Sequence, residues 1–272
     1  MIPDSREIEL FRDVVYGQYR RYGRSFAWRE TSDPYAIHVS EIMLQQTGTT
    51  RVASKYEEFL SEFPSYATLA ASSTAEVLRV WSGLGYNRRA KYLRDSARIV
   101  IDRWNGVLPR DTETLTDLPG IGKNTAGAIV AFAYNTPVVF IETNIRRVFL
   151  HAFFAGREKV HDTELLPFIE ATLDRASPRE WYWALMDFGV FLAREFPNPN
   201  RRSAHHTRQA PFENSNRQIR GRVIALLADG RSHERDEIVR ALAFPEQRVH
   251  AVIDDLSNEG LIAAENDALY IP

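Results

Sequence analysis

The sequence predicts an all-α protein whose only strand-like segment lies near its C-terminal end. Apolar residues recur at spacings of three and four through most of the chain, as at Tyr35, Val39 and Ile42, which is the pattern of a helix with one buried face. Alternation of apolar and polar residues, which is typical of strands, is scarce before residue 260. Short segments rich in proline and glycine separate the helical patterns and predict loops.

The composition is that of an ordinary soluble globular protein. Its 272 residues, 44% of them hydrophobic, can form one large core or two smaller ones with room for an appended module. The N-terminal segment is charged too early for a signal peptide and no apolar stretch is of spanning length, so we expect a cytoplasmic location and no membrane partner. We also expect a monomer. The chain has no cysteine, which excludes disulfides, thiolate zinc sites and iron–sulfur clusters.

The basic residues are concentrated in one segment. The formal net charge is −2, so any affinity for nucleic acid must come from local clustering. Between Arg194 and Arg222, seven arginines oppose two glutamates, which gives a local charge of +5. This segment predicts either a solvated loop or a series of phosphate contacts.

The C-terminal residues have the element order of a winged helix. Residues 216–228, 234–243 and 246–258 predict three helices, and 261–263 and 268–271 predict a hairpin that turns at 265–267. The third helix carries Arg248 and His250, but Asp254, Asp255 and Glu259 oppose phosphate contact. Reading of DNA and docking or packing against protein therefore both stay open for this module.

A glycine-rich hairpin at residues 118–129 opens directly into an apolar helix. Gly120 and Gly122 can let the backbone approach a phosphate, and the N–H groups at the helix start attract the anion. Such a hairpin grips DNA without reading its sequence. The alternative is an ordinary glycine-rich helix start. A nucleotide-binding loop fits poorly, because no strand precedes the hairpin and Walker spacing is absent.

Several motifs occur together in the order and spacing of one known family. These motifs are Trp28-Arg29, Asp33-Pro34-Tyr35, Ser40-Glu-Ile-Met-Leu-Gln-Gln-Thr47, Trp81-Ser-Gly-Leu-Gly-Tyr86, the hairpin and Ala184-Leu-Met-Asp-Phe-Gly189. Over residues 5–193 the chain resembles the helix-hairpin-helix DNA glycosylases, and within them the MutY-type adenine glycosylases. The resemblance implies a two-lobed core that binds double-stranded DNA across its cleft and excises a base during base excision repair.

The resemblance assigns the catalytic acid to Glu41. The flanking residues Ile37, Met43 and Leu44 are apolar, so we expect desolvation to raise the pKa of Glu41 and keep a proton available for the departing base. Gln45 and Gln46 resemble the residues that enter the duplex where the base has left. Tyr86 resembles the residue that wedges beside the opposite base.

A second carboxylate is expected at position 142, where the family usually has aspartate and this chain has Glu142. Its charge would stabilise the oxocarbenium-like sugar, and Asn144 resembles the partner that orients this carboxylate and the water. The extra methylene can shift the charge by about an ångström, which can cost roughly a hundredfold in rate. Glu142 therefore acts with a compensating backbone shift, acts on a different substrate, or marks lost activity.

The hairpin residues imply an enzyme without β-lyase activity. Lyase-capable relatives have a lysine two residues after the second hairpin glycine, where this chain has Asn124. Lys123 points about 100° away on the helix and is expected to contact phosphate, together with Asn124 and Thr125. We expect no metal site and no cofactor, although the family implies that a monovalent cation can bind at the hairpin.

Two departures from the family bear on the substrate. Most relatives of this type carry four cysteines that bind an iron–sulfur cluster, and the first would fall at Ala193 of this chain. In their place this chain has the arginine-rich connector, and we expect its Arg201, Arg202 and Arg208 to contact phosphate. From the sequence we also expect no counterpart of the family's C-terminal domain, which recognises oxidised guanine. Gln45-Gln46-Thr47 favours adenine opposite guanine or 8-oxoguanine; a thymine or uracil glycosylase acting opposite guanine is the alternative. A non-catalytic damage sensor is a third hypothesis, which Glu41 argues against.

The predicted organisation has four parts. Residues 29–136 form one helical lobe, and residues 1–28 with 137–195 form the other. An arginine-rich connector follows at 196–215, and the winged-helix-like module occupies 216–272. We expect Glu41 and Glu142 to approach the DNA from opposite lobes.

Overall fold

A computed structural model of the chain describes residues 2–207, 211–266 and 268–272. The chain divides into two compact units. Unit 1 comprises Met1–Ile37, Arg110–Asp117 and Ile121–Arg208, and unit 2 comprises His38–Pro109, Leu118–Gly120 and Gln209–Pro272. These units differ from the four parts expected from the sequence, because the C-terminal module belongs to the same unit as residues 38–109.

The described residues are mainly helical, as predicted. Two short 3₁₀ helices lie at Ala27–Arg29 and Pro199–Arg202. The α-helices are α1 Ser5–Tyr22, α2 Pro34–Leu44, α3 Thr49–Glu62, α4 Tyr66–Ala71, α5 Thr74–Trp81, α6 Arg88–Trp104, α7 Thr112–Leu115, α8 Lys123–Tyr134, α9 Thr143–Phe153, α10 Asp162–Thr172, α11 Pro178–Glu195, α12 Asn216–Leu227, α13 Arg235–Leu242 and α14 Glu246–Asn258. The strands are β1 His233–Glu234, β2 Ala263–Glu265 and β3 Ala268–Tyr270.

The core of unit 1 is built from the apolar faces of α1, α8, α9, α10 and α11. Trp181 and Tyr182 of α11 are fully buried in it, and the Tyr182 hydroxyl donates to the carbonyl oxygen of Val138 at 2.7 Å. A buried tyrosine needs such a partner, because an unsatisfied hydroxyl would be costly away from water. This core holds α9 and α11 in a fixed relation.

Glycines let two segments of unit 1 approach closely. A Cβ atom added at Gly189 of α11 would lie 2.5 Å from the carbonyl oxygen of Asn144, and one added at Gly127 of α8 would lie 2.6 Å from Cβ of Phe140. Since real Cβ atoms essentially never come so close, these contacts require glycine. They fix the backbone on both sides of the start of α9.

Unit 2 packs α3 to α6 around Trp81, Phe59 and Leu69, all fully buried. Ser65 and Ser73 form capping boxes at the starts of α4 and α5, which satisfy backbone N–H groups that have no partner within the helix. The backbone N–H of Thr74 also donates to the carbonyl oxygen of Pro272 at 2.9 Å, which ties the end of the chain to α5.

The C-terminal module in unit 2 has the predicted three helices and a terminal hairpin, with one addition. The first hairpin strand, β2, lies at Ala263–Glu265 and not at the predicted 261–263, because Glu265 of the predicted turn pairs with Ala268. β3 pairs antiparallel with β2, with Ala264 opposite Leu269, and β1 pairs with the other edge of β3, which gives the order β1-β3-β2. The two-residue β1 was not predicted, because so short a strand has no periodicity. Asp267 of the predicted turn lies outside the described residues.

In the described ranges, no helix is both long enough and apolar enough to cross a membrane.

We expect Gly189→Ala and Gly17→Ala to change stability in opposite directions, although both replace a helical glycine of unit 1. The first forces a Cβ atom into the Asn144 backbone and should lower the free energy of unfolding by about 1–3 kcal/mol. The second meets no atom within 4 Å and should raise it by about 1 kcal/mol. Urea denaturation of the two variants measures both changes, and equal shifts would contradict the close approach of α11 and α9.

Candidate active site

Glu142 is the N-cap of α9 in unit 1. Its Oε1 atom accepts hydrogen bonds from the backbone N–H groups of Asn144 at 2.8 Å and Ile145 at 2.9 Å. The carboxylate therefore lies at the positive end of the helix dipole. Glutamate thus reaches the capping geometry despite its extra methylene, with the extended backbone usual for an N-cap, φ −130° and ψ 178°.

Asn144 contacts the same carboxylate through its side chain. Its Nδ2 donates to Oε2 of Glu142 at 3.3 Å, and its Oδ1 accepts from Nη1 of Arg147 at 2.7 Å. Because a guanidinium group can only donate, Arg147 fixes which end of the amide faces Glu142. The structure thus brings together two of the three predicted catalytic residues, and both oxygens of the Glu142 carboxylate are held.

Burial raises the pKa of the Glu142 carboxyl above its ordinary value, even though part of the residue's surface stays accessible. The backbone hydrogen bonds from Asn144 and Ile145 oppose this rise, as do the charges of Arg147 and Arg146. Burial has the larger effect. Glu142 therefore keeps its proton to a higher pH than an ordinary glutamate.

Arg147 is the buried link between Asn144 and the rest of unit 1. Its Nη1 also donates to the carbonyl oxygen of Gly189 at 2.8 Å, and its Nε donates to Oδ1 of Asn198 at 3.2 Å. Burial lowers the pKa of its guanidinium, and the charge of Glu142 opposes that fall. Arg146 instead forms a bidentate pair with Asp162 at 2.6 and 2.7 Å, so it binds an acidic side chain of the protein.

The Trp28-Arg29 and Met-Asp-Phe-Gly motifs meet at Asp187. Arg24 and Arg29 both donate to this carboxylate at 2.6–2.9 Å, and the Asp187 side chain is 4% exposed. Burial alone would raise the pKa of Asp187, but Arg29 and Arg24 hold it below its usual value. This ion cluster fixes α11 two residues before Gly189. Sequence analysis found both motifs but not their pairing.

The hairpin residues differ in what their backbones require. Gly120 has φ +78°, in the left-handed region, and its added Cβ would lie 2.9 Å from the ring of Tyr92, so glycine is needed there. Gly122, the N-cap of α8, has φ −93° with no atom within 4 Å of an added Cβ. Glycine at 122 is thus not required by conformation or by protein packing. The start of α8 is open, and Lys123 is exposed.

Asn124 lies beside the segment that leads to Glu142. Its Oδ1 accepts from the backbone N–H of Ile141 at 3.4 Å. The position at which lyase-capable relatives carry lysine is therefore close to the catalytic candidate of unit 1. Thr125, the next residue of α8, is partly buried.

Glu41, the predicted acid, belongs to unit 2. It is partly exposed on α2, between Ser40 and Ile42, which are both buried. Glu41 is therefore less buried than its two neighbours on α2. Glu142 belongs to the other unit, so the joint action of the two carboxyl groups is part of the functional proposal below.

Arg89 holds the two segments that carry the predicted DNA-inserting residues. Its buried guanidinium donates at 2.5–3.3 Å to six oxygen atoms, which are the carbonyl oxygens of Ile42, Met43, Gln45, Leu84 and Gly85 and the hydroxyl of Thr47. Burial lowers its pKa to about 10, so it remains charged at neutral pH. Sequence analysis did not identify Arg89, because no motif marks it as a partner of α2.

Two of the three residues that we expect to enter the duplex have a strained backbone. Gln46 has φ +56° and Tyr86 has φ +49°, which are left-handed values that bulky residues seldom adopt. Gln46 is exposed and Tyr86 is partly buried. The side chain of Gln45 donates to the carbonyl oxygen of Gly120 at 3.0 Å, which joins it to the hairpin. Arg89 keeps these conformations in place.

The connector stabilises α9 at both ends. Arg202 donates from Nη1 to the carbonyl oxygen of Phe154 at 2.7 Å and from Nη2 to that of Leu150 at 2.8 Å, which caps the C-terminal end. At the other end, Asn200 donates to the carbonyl oxygen of Thr143 at 2.9 Å. From the sequence we expected Arg202 to contact phosphate and did not predict this structural role. Both terminal nitrogens of its guanidinium donate to α9 and the residue that follows it. Arg201 is exposed.

The third connector arginine that we expected to bind phosphate, Arg208, lies outside the described residues. Within the ranges that the structure describes, no group of three or more histidine, aspartate or glutamate side chains can hold a metal ion. The chain has no cysteine, so its donor set does not fit an iron–sulfur cluster.

Comparison with known proteins gives consistent likenesses. A family model described as HhH-GPD superfamily base excision DNA repair protein matches residues 39–166. An adenine DNA glycosylase of Mycolicibacterium smegmatis is 33% identical, over 93% of this chain and 92% of that protein. One of Mycobacterium tuberculosis is 34% identical, over 85% of this chain and 78% of that protein. A solved thermostable thymine-DNA glycosylase matches with a TM-score of 0.62 at 25% identity, over 69% of this chain and 88% of that chain.

The contacts of the two neighbouring arginines predict different effects of alanine. Arg202→Ala removes the cap of α9 and should lower the free energy of unfolding by about 1–2 kcal/mol, with no change in the salt dependence of DNA binding. Arg201 is exposed, so Arg201→Ala should leave stability unchanged; if it contacts phosphate as the sequence predicts, the slope of log affinity against log salt should fall by about one. Chemical denaturation and fluorescence anisotropy separate the two effects, and the reverse assignment would refute the contacts as described.

Proposed function

Since the chain belongs to the adenine DNA glycosylases of the HhH-GPD superfamily, we propose that it hydrolyses the N-glycosidic bond of an adenine flipped out of duplex DNA. One observation carries the proposal at the level of the site. A carboxylate and an amide, Glu142 and Asn144, are fixed at the start of α9 in a chain that resembles adenine DNA glycosylases over almost its whole length. The base opposite is proposed to be guanine or 8-oxoguanine.

The proposed reaction uses two carboxyl groups in opposite protonation states. Glu41 donates a proton to a ring nitrogen of adenine, which lets the base leave with the electron pair of the C–N bond. The sugar is left as an oxocarbenium-like cation, which the ionised Glu142 stabilises. Water then adds to the sugar carbon and gives up a proton to Glu142. Asn144 positions the carboxylate for both steps.

The DNA is proposed to be held by parts of the chain that suit a backbone phosphate. The open start of α8 offers backbone N–H groups and the exposed Lys123, and the bare Gly122 leaves room for the phosphate. A monovalent cation bound near the hairpin is part of this proposal. The residues that enter the duplex are Gln45, Gln46 and Tyr86. Thr125 and Arg201 contact the DNA from outside the duplex.

We propose that the enzyme does not cleave the DNA strand. Strand cleavage by this family's lyases needs an amine that attacks the sugar carbon to form a Schiff base. At the corresponding position Asn124 offers an amide, and an amide nitrogen is not nucleophilic. The supporting observation is that Asn124 lies next to Ile141, one residue before Glu142.

A second candidate is a glycosylase that removes thymine or uracil opposite guanine. The likeness to a solved thymine-DNA glycosylase favours it, at lower sequence identity than that of the adenine glycosylases. The third hypothesis, a damage sensor without catalysis, requires DNA binding with no base release. One set of substrates distinguishes all three.

The test is a panel of duplexes with adenine opposite guanine, adenine opposite 8-oxoguanine, thymine opposite guanine and uracil opposite guanine. Alkali cleaves the abasic product, and we expect it from the adenine duplexes. Glu41→Gln should abolish base release, which means a loss of at least about a hundredfold in rate, and should leave DNA binding unchanged. The amide keeps the size of the side chain but lacks the acidic proton. Normal turnover by this variant would refute Glu41 as the acid. Binding without product from any duplex would favour the sensor.

The raised pKa of Glu142 predicts the pH dependence of base release. The rate should fall with decreasing pH as Glu142 gains a proton, at a pH above that of an ordinary glutamate. Glu142→Gln should lower the single-turnover rate by about a hundredfold and remove this acidic limb. Glu170→Gln, which alters an exposed carboxylate of α10, is the matched control. An acidic limb that persists in Glu142→Gln must belong to another group.

A further inference from the structure

Unit 2 contains a cavity of about 1000 Å³ between the C-terminal module and the segments held by Arg89. One side is formed by Gln45, Gln46 and the turn that ends at Tyr86, and the other by α12 and Phe212. The proposed catalytic acid, Glu41, is not among the described residues that line it. The described lining comes instead from the segments around Gln46 and Tyr86 and from the C-terminal module.

The cavity offers aromatic and cationic surfaces side by side. The guanidinium carbon of Arg217 on α12 lies 5.8 Å from the ring centroid of Tyr86 and 5.9 Å from that of Phe212. Nη1 of Arg217 also donates to the Tyr86 hydroxyl at 2.8 Å. Phe212 is 55% exposed, so most of an aromatic ring remains available to a ligand. Such rings and guanidinium planes stack with nucleobases of any sequence.

The charge of the cavity suits an attached phosphate. Arg51, Arg217 and Arg220 line it, and Arg51 is exposed. Its acidic lining residue, Glu259, forms ion pairs with Arg88 and Arg220, so its negative charge is compensated. Cationic and aromatic groups together fit a nucleotide, which has a flat base and an anionic backbone.

The position of the cavity indicates which nucleotide it takes. When a base is flipped out, its former partner in the other strand loses its hydrogen bonds and keeps an unpaired edge. The unpaired edge of a guanine carries the O6 acceptor and the N1–H and N2–H donors; a guanidinium such as that of Arg217 can donate to O6, and an amide oxygen such as that of Gln45 can accept from the N–H groups. Gln46 and Tyr86, which the proposed function inserts into the duplex, form the border of the same cavity.

We propose that this cavity binds the unpaired nucleotide opposite the excised base, and that Arg217 and Phe212 of the C-terminal module contact it. The inference rests on the proposed function and gives the module a part in choosing the substrate. Selection of the opposing base then depends on α12 as well as on the segments around Gln46 and Tyr86.

The test measures binding, so it does not depend on catalysis. Two duplexes carry a stable abasic analogue at the target position, one with guanine opposite it and one with a second abasic analogue opposite it. We expect the wild-type chain to bind the guanine duplex about tenfold more tightly in fluorescence anisotropy, as expected for one stacked and bonded base. Arg217→Ala should bring the ratio close to one, and Phe212→Ala should reduce it.

Arg222→Ala is the matched control, because Arg222 lies on the same helix and contacts Phe244. It should keep the tenfold ratio. If Arg217→Ala fails to fold, as judged by thermal unfolding, the exposed Phe212 decides the matter. A ratio near one for the wild type, or an unchanged ratio in both variants, would overturn the inference. Failure to release adenine in the duplex panel, with the ratio intact and sensitive to Arg217, would overturn the proposed function alone.

Discussion

The conformation of unit 2 depends on the buried guanidinium group of Arg89. A charge removed from water needs acceptors for its donors, and the two terminal nitrogens of Arg89 find them among backbone oxygens of two separate segments, while its Nε has no partner among the described residues. Those oxygens must converge for the chain to fold. The left-handed backbones of Gln46 and Tyr86 are therefore tolerated because the surrounding hydrogen bonds determine them. A structural charge thus shapes the surface that we propose inserts into DNA.

Unit 1 uses the same physical device around α9. Arg147 is buried and donates to Asn144, Gly189 and Asn198, so the amide beside Glu142 is oriented from behind. Arg202 caps the opposite end of the helix. In each case, an arginine fork joins segments that are distant in sequence, which suits its planar set of donors. The candidate carboxylate is thereby positioned by side chains of unit 1.

Much of the fold could be predicted from the sequence, and the remainder depends on long-range pairing. Helix periodicity predicted the all-α class and the three helices of the C-terminal module. The family resemblance named Glu142 and Asn144 as candidate site residues, and the structure holds them in contact with each other. The partners of Arg89 and of Asp187 carry no local signal, because each pairing joins segments far apart in the chain. The need for glycine at 189 also comes from a neighbouring helix. Gly122 is the opposite case. It stands in a conspicuous sequence motif, yet neither its backbone conformation nor a neighbouring atom of the protein requires glycine there.

The connector that clamps α9 does so with asparagine and arginine side chains. Neither side chain changes its charge or bonding with the redox state of its surroundings, and neither requires iron to be supplied and assembled. The geometry at Glu142 should therefore persist through oxidant exposure and iron starvation. For a protein proposed to act on mispairs that include oxidised guanine, the clamp on α9 thus consists of groups that are inert toward the oxidants that create the proposed substrate.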